Sequence, residues 1–78
     1  MAARFPSMKA RDLLAILQRE PLGYVVTRSS GSHRVLEADG RPRLIFAFHD
    51  RVTIAPGLVR RILTVGVALS EDEALELL

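Results

Sequence analysis

The sequence lacks cysteine altogether. That excludes disulfides, thiolate metal sites and a thiol nucleophile, and it suits a reducing compartment. It also lacks a long apolar run. No stretch approaches the roughly 20 residues that a membrane helix needs. The opening Met1-Ala2-Ala3-Arg4-Phe5-Pro6-Ser7 has no apolar core of signal-peptide length. The expectation is therefore a cytoplasmic protein with no membrane partner. Histidine is scarce, at two residues. Without cysteine or a clustered acid pair they give poor spacing for zinc, so no metal and no cofactor is expected. Lysine is nearly absent: ten of the eleven basic residues are arginine, whose planar fork matches phosphate geometry.

What is present fits one folded domain. The 78 residues are 49% hydrophobic and 26% charged, unlike a disordered tail. A core this small supplies only about 3–5 kcal/mol of net stability. The net charge is +2, unevenly spread. All eleven bases lie between Arg4 and Arg61, beside only Asp12, Glu20, Glu37, Asp39 and Asp50. The last eight residues carry Glu71, Asp72, Glu73 and Glu76 and no base. A basic body suits nucleic acid, although solvated faces of an arginine-rich protein give the same count.

Apolar spacing predicts an α+β order. Ala10, Leu13, Leu14 and Leu17 recur at helical intervals, predicting a helix over residues 8–19 capped by Ser7 and ended by Pro21 and Gly23. Tyr24-Val25-Val26-Thr27 reads as a strand. Residues 28–32 read as a polar loop, and residues 33–38 as a second strand. Asp39-Gly40 marks a turn before a third strand over residues 43–49, with Leu44, Phe46 and Phe48 on one face. Short turns imply an antiparallel meander. A second helix begins near Ala55-Pro56-Gly57, with Leu58, Ile62, Leu63 and Val65 as its apolar side and Gly66 as its stop. Ser70 and Glu73 form a capping-box pattern opening a short acidic helix, which would pack through Leu75 and Leu78 or meet a partner. Helices should cover one face of the sheet.

Several stretches resemble the HicA-type toxins. They are Met8-Lys9-Ala10-Arg11-Asp12-Leu13-Leu14, then Gly23-Tyr24 and Arg28, then Gly31-Ser32-His33. Phe48-His49, Pro56-Gly57-Leu58 with Arg61-Ile62-Leu63, and Ser70-Glu71-Asp72-Glu73 follow in the same order. The resemblance covers residues 8–78, leaving residues 1–7 as an N-terminal extension. It implies a double-stranded-RNA-binding-domain-like α-β-β-β-α fold with an extra C-terminal helix. It also implies cleavage of mRNA as an mRNA interferase, and neutralisation by a HicB-type antitoxin. The chain departs from the family pattern in two places. Arg34 follows the signature histidine where many relatives have a second histidine or an aromatic residue. The segment after the third strand reads Arg51-Val52-Thr53-Ile54 where relatives often carry lysine and acids.

RNA carries its own nucleophile, the 2′-OH. An enzyme must remove that proton, stabilise the charge on phosphorus and protonate the leaving oxygen. Histidine, with a free pKa near ~6.5, is suited to such work. Taken alone, the Ser-Ser-Gly-Ser stretch reads as a hairpin turn and His33 as an exposed strand residue. The resemblance makes His33 the catalytic residue. Around it, Gly31 would let a ligand approach the backbone, Ser30 and Ser32 would hold a phosphate, and Arg28 and Arg34 would offset developing charge. His49 is a possible second catalytic residue, or else caps the strand end or contacts Asp50. Tyr24 reads as core or as a base-stacking ring. Arg60 and Arg61 read as phosphate contacts or a solvated helix face. The alternative function is a binding module of the same fold, for RNA or for an antitoxin, that cuts nothing.

Overall fold

The computed structural model describes residues 4–78. Strand β1 (Met8–Lys9) leads into helix α1 (Ala10–Gln18). Strands β2 (Val25–Ser30), β3 (His33–Glu37) and β4 (Leu44–Ala47) follow, then β5 (Thr53–Ile54) and helix α2 (Pro56–Arg61). The chain continues from α2 as a π-helical turn, Ile62–Gly66, and closes with helix α3 (Glu71–Glu76). Strands β2, β3 and β4 form an antiparallel sheet in sequence order. The class is α+β, with the expected α-β-β-β-α layout and the extra C-terminal helix.

The first helix begins later than Ser7 predicts. Met8 and Lys9 pair with Ile54 and Thr53 as a second, two-stranded antiparallel sheet. The reason lies in the first N–H groups of α1, which have no partner inside the helix. Ala10 N–H donates to the Val52 carbonyl at 2.8 Å and Arg11 N–H to the Asp50 carbonyl at 3.1 Å. Backbone from residues 50–52 thus does the work expected of a side-chain cap, and α1 has none. Ala10, Leu13, Ile16 and Leu17 form its buried face, with Leu14 half-buried.

The three-stranded sheet alternates as its pleat requires. Leu36, Leu44 and Phe46 are buried on the inner face. There they join Leu13 and Leu17 of α1, and Val59 and Leu63 of the second helical segment, in one core cluster. Each such side chain contributes roughly 1.5–3 kcal/mol by leaving water. Phe5 is 2% exposed and belongs to the same cluster, so the core extends into the residues ahead of β1. Phe48 meets Phe46 edge to face, with ring centroids 5.2 Å apart.

The second helix turns a different side inward from the one its spacing suggests. Val59 and Leu63 are fully buried, whereas Leu58 is exposed, Ile62 only half-buried and Val65 69% exposed. Leu58, Ile62 and Val65 instead line an open groove of about 240 Å³ with Leu44, Ile45, Phe46, Arg61 and Gly66. The helix is apolar on two sides, and the wider π-helical turn, where Val67 N–H reaches the Ile62 carbonyl at 2.9 Å, shifts the phase of its last residues. Helix α3 opens with the expected capping box: Glu73 N–H donates to Ser70 Oγ at 3.1 Å, and Ser70 N–H to the Glu73 carboxylate at 2.9 Å. It packs through buried Ala74 and half-buried Leu75 and Leu77, while Leu78 stays exposed. Arg60 ties it to α2 by donating from Nε to Glu71 Oε2 at 2.8 Å.

Candidate nucleic-acid interface

Strands β2 and β3 run further than expected toward each other. Residues 28–30 extend β2, leaving only Gly31 and Ser32 as the hairpin turn. Gly31 has φ +62° and Ser32 does not have a positive φ, the sign pattern of the II′ turn that fits the right-handed twist of a hairpin. Ser30 and His33 are therefore direct cross-strand partners, and His33 is also opposite Ala47 of β4. In the next row Arg28 is opposite Val35, and Val35 opposite Ile45.

These rows lie on the face away from the core. His33, Val35 and Glu37 alternate with Leu36, which is fully buried. Both direct cross-strand partners of His33 are small, and its own side chain is exposed. Ser30, Gly31 and Arg28 are exposed around it, and Ser32 is half-buried. A Cβ added at Gly31 would meet nothing within 4 Å, so the turn is open to an approaching ligand. His33, Arg28, Ser30, Gly31 and Ser32 thus come together at one end of an uncovered sheet face.

Other candidates go elsewhere. Arg34 shares the inner face with Leu36 and Phe46. Its half-buried guanidinium donates to Asp50 Oδ1 at 3.1 Å, and its Nη1 has no hydrogen-bond partner among the described residues. Arg34 therefore holds the turn that follows β4 from beneath the sheet. That turn carries His49, which is exposed two residues past Ala47. The turn is fixed further by Val52 N–H to the His49 carbonyl at 3.1 Å and by Lys9 Nζ to the Arg51 carbonyl at 3.2 Å. Arg60 is engaged by Glu71, whose carboxyl that hydrogen bond and the guanidinium charge hold below its ordinary pKa. Arg61 is exposed and lines the apolar groove.

Tyr24 is core and not a stacking platform. It is 1% exposed, and its hydroxyl donates to the Pro42 carbonyl at 2.7 Å. Burial pushes the phenol pKa up.

The structure adds a feature that strand spacing alone does not show. The β2–β3 register shifts between Val26 and Arg28, so Thr27 is an extra residue. Such a bulge re-aims the side chains beside it. Thr27 Oγ1 donates to Glu37 Oε2 at 2.8 Å, on the same outer face as His33. Thr27, Arg28, Val35, Glu37 and Arg43 line a cleft of about 190 Å³. Arg43 is legible in the sequence only through alternation: it precedes Leu44 and so shares the outer side with Ile45.

An α+β domain with helices on one sheet face and a histidine and arginines on the other belongs to the class of small basic domains suited to nucleic acid. The family comparison is more particular. The family described as "HicA toxin of bacterial toxin-antitoxin" matches residues 10–66. The chain belongs to that family, and is thus a toxin of the toxin–antitoxin type. Comparisons with curated proteins and with solved structures find no match. Among the described residues, no helix is long and apolar enough to cross a membrane, and no group of three or more histidines and acids is placed to hold a metal ion.

Proposed function

We propose that the protein is an endoribonuclease toxin, an mRNA interferase, that cleaves mRNA in the cytoplasm without a metal and is neutralised by a HicB-type antitoxin. The observation that carries this reading is the position of His33. It stands exposed on the uncovered sheet face, opposite Ser30 and one row from Arg28, in a chain of the HicA family.

The chemistry needs few groups. His33 acts as general base or acid on an RNA phosphodiester. As base, it takes the 2′-OH proton while the 2′ oxygen attacks phosphorus. The bond from phosphorus to the 5′ oxygen breaks, and that oxygen takes up a proton as it leaves, yielding a 2′,3′-cyclic phosphate and a 5′-OH. One positioned side chain of this kind is worth about 10²–10⁴ in rate. The Gly31–Ser32 backbone and the Ser30 and Ser32 hydroxyls hold the reacting phosphate, and Arg28 offsets the charge that builds on it. His49 is the candidate for the second proton, since it follows the strand that flanks His33. Arg34 supports that turn through Asp50. Arg61, which has no ion-pair partner among the described residues, is the helix arginine placed to meet a more distant phosphate.

The antitoxin inhibits by covering or distorting the His33 surface. Growth on expression tests the whole reading in cells. Wild type should arrest growth, His33→Ala should not, and co-expression of the cognate antitoxin should restore growth. Equal toxicity of the two forms would refute the role of His33.

A further inference from the structure

The cleft beside the His33 row bears two arginines that no structural role engages. Arg28 and Arg43 are both exposed, and neither has an ion-pair or side-chain hydrogen-bond partner among the described residues. Arg28 lies on β2 opposite Val35, Arg43 stands just ahead of β4, and both line one cleft with Val35 and Glu37 of the central strand. The bulge at Thr27 contributes to this: it leaves an extra residue between Val26 and Arg28, on the side where Thr27 meets Glu37. The cleft is neither an apolar groove nor a flat surface. Val35 is its aliphatic part, Arg28 and Arg43 bring two guanidinium groups, and the Glu37 carboxylate is held by the Thr27 hydroxyl.

The geometry points to a second phosphate subsite: Arg43, with Arg28 standing between it and the reacting phosphate, grips the phosphate next to the one at His33, placing the RNA strand along β3. This rests on the reading of His33 as the reacting centre. Spacing along the strand supports it. His33 and Val35 are two residues apart on one face, which is about 6.7 Å, comparable to the step between consecutive phosphates of an extended nucleic-acid strand. The subsite also has an end. Glu37, whose carboxylate is engaged by Thr27, closes the far end of this cleft and lines with Asp39 a second, acidic cleft beyond it. A phosphate backbone is repelled there, so the basic strip holds one phosphate past the reacting one on this side. Arg43 is then a positioning residue that fixes the register of the strand, and it touches no reacting atom.

The test separates binding from cleavage. His33→Ala protein serves as the uncut background, and a short fluorescein-labelled single-stranded RNA is the probe, read by anisotropy over a salt series. Removing one charge-assisted hydrogen bond to phosphate should weaken binding about tenfold, and the slope of log affinity against log salt should fall by about 0.7. Arg43→Ala should show both effects, Arg43→Lys should restore most of the slope, and Arg11→Ala, on α1 behind the sheet, should show neither. In wild-type background Arg43→Ala should raise KM more than it lowers kcat. Unchanged affinity and slope in Arg43→Ala, or no RNA binding by the background protein, overturns the subsite even if wild type cleaves. Loss of affinity in Arg43→Ala with no cleavage by wild type upholds the subsite and sinks the catalytic reading instead.

Discussion

Ser30 and His33 face each other across the two-residue Gly31–Ser32 turn, on the side of the sheet that no helix among the described residues covers. The turn decides where the imidazole stands, because a longer loop would free His33 from its strand partner. Gly31 is the residue that permits so tight a turn, at φ +62° with open space around its missing Cβ. Gly31→Ala therefore costs backbone strain alone, about 1–2 kcal/mol. Urea denaturation should show that loss, and RNA cleavage should fall with it. An unchanged midpoint would show that the turn does not need glycine.

The reversed second helix makes a clean contrast. Leu63 is fully buried and Leu58 is 38% exposed. Leu63→Ala should cost about 2–5 kcal/mol, enough to unfold much of so small a domain, while Val65→Ala should stay within about 0.5 kcal/mol. Thermal unfolding of the two variants decides. The opposite ranking would restore the face that Leu58, Ile62 and Val65 form by spacing.

That reversal shows where the sequence stops being legible. The capping box of α3 is readable because Ser70 and Glu73 need only each other. The three-stranded meander is readable because its turns are short and its last strand alternates strictly between buried and exposed residues. The β1–β5 pair is not, because two-residue strands carry no periodicity and their partners lie some 45 positions apart (Met8 with Ile54). In α2 and the π-helical turn after it, apolar residues stand at positions 58, 59, 62, 63 and 65, so two stripes compete and only packing in the core with Leu36 and Phe46 selects one. At the site, the family resemblance singles out His33 and its flanking glycine and serines, which the fold gathers. It does not show that Arg34 turns under the sheet toward Asp50, or that a bulge at Thr27 forms a cleft with Arg43.

Tyr24→Phe separates the core role from stacking. The variant loses the 2.7 Å hydrogen bond to the carbonyl of Pro42, itself an exposed residue, so stability should drop by about 0.5–1.5 kcal/mol. RNA affinity should not change once folding is allowed for. Tyr24→Leu weakening RNA binding in a fully folded protein would contradict the burial.

The Arg60–Glu71 pair links stability to acid. The Glu71 carboxyl is depressed by the Arg60 hydrogen bond first and its charge second. The unfolded chain therefore binds this proton more readily than the folded one. The contribution is fully present above the unfolded carboxyl's ordinary value and is lost as pH falls through the depressed folded value. Melting temperatures of wild type and Glu71→Gln should differ at neutral pH and converge below that window. Parallel curves would show that the pair does not couple to folding.

The central claim is tested most directly by incubating RNA with purified protein in EDTA, wild type beside His33→Ala, with circular dichroism confirming that both are folded. The account predicts cleavage by wild type only, at undiminished rate with the chelator present. Cleavage by both forms, or by neither, would contradict it.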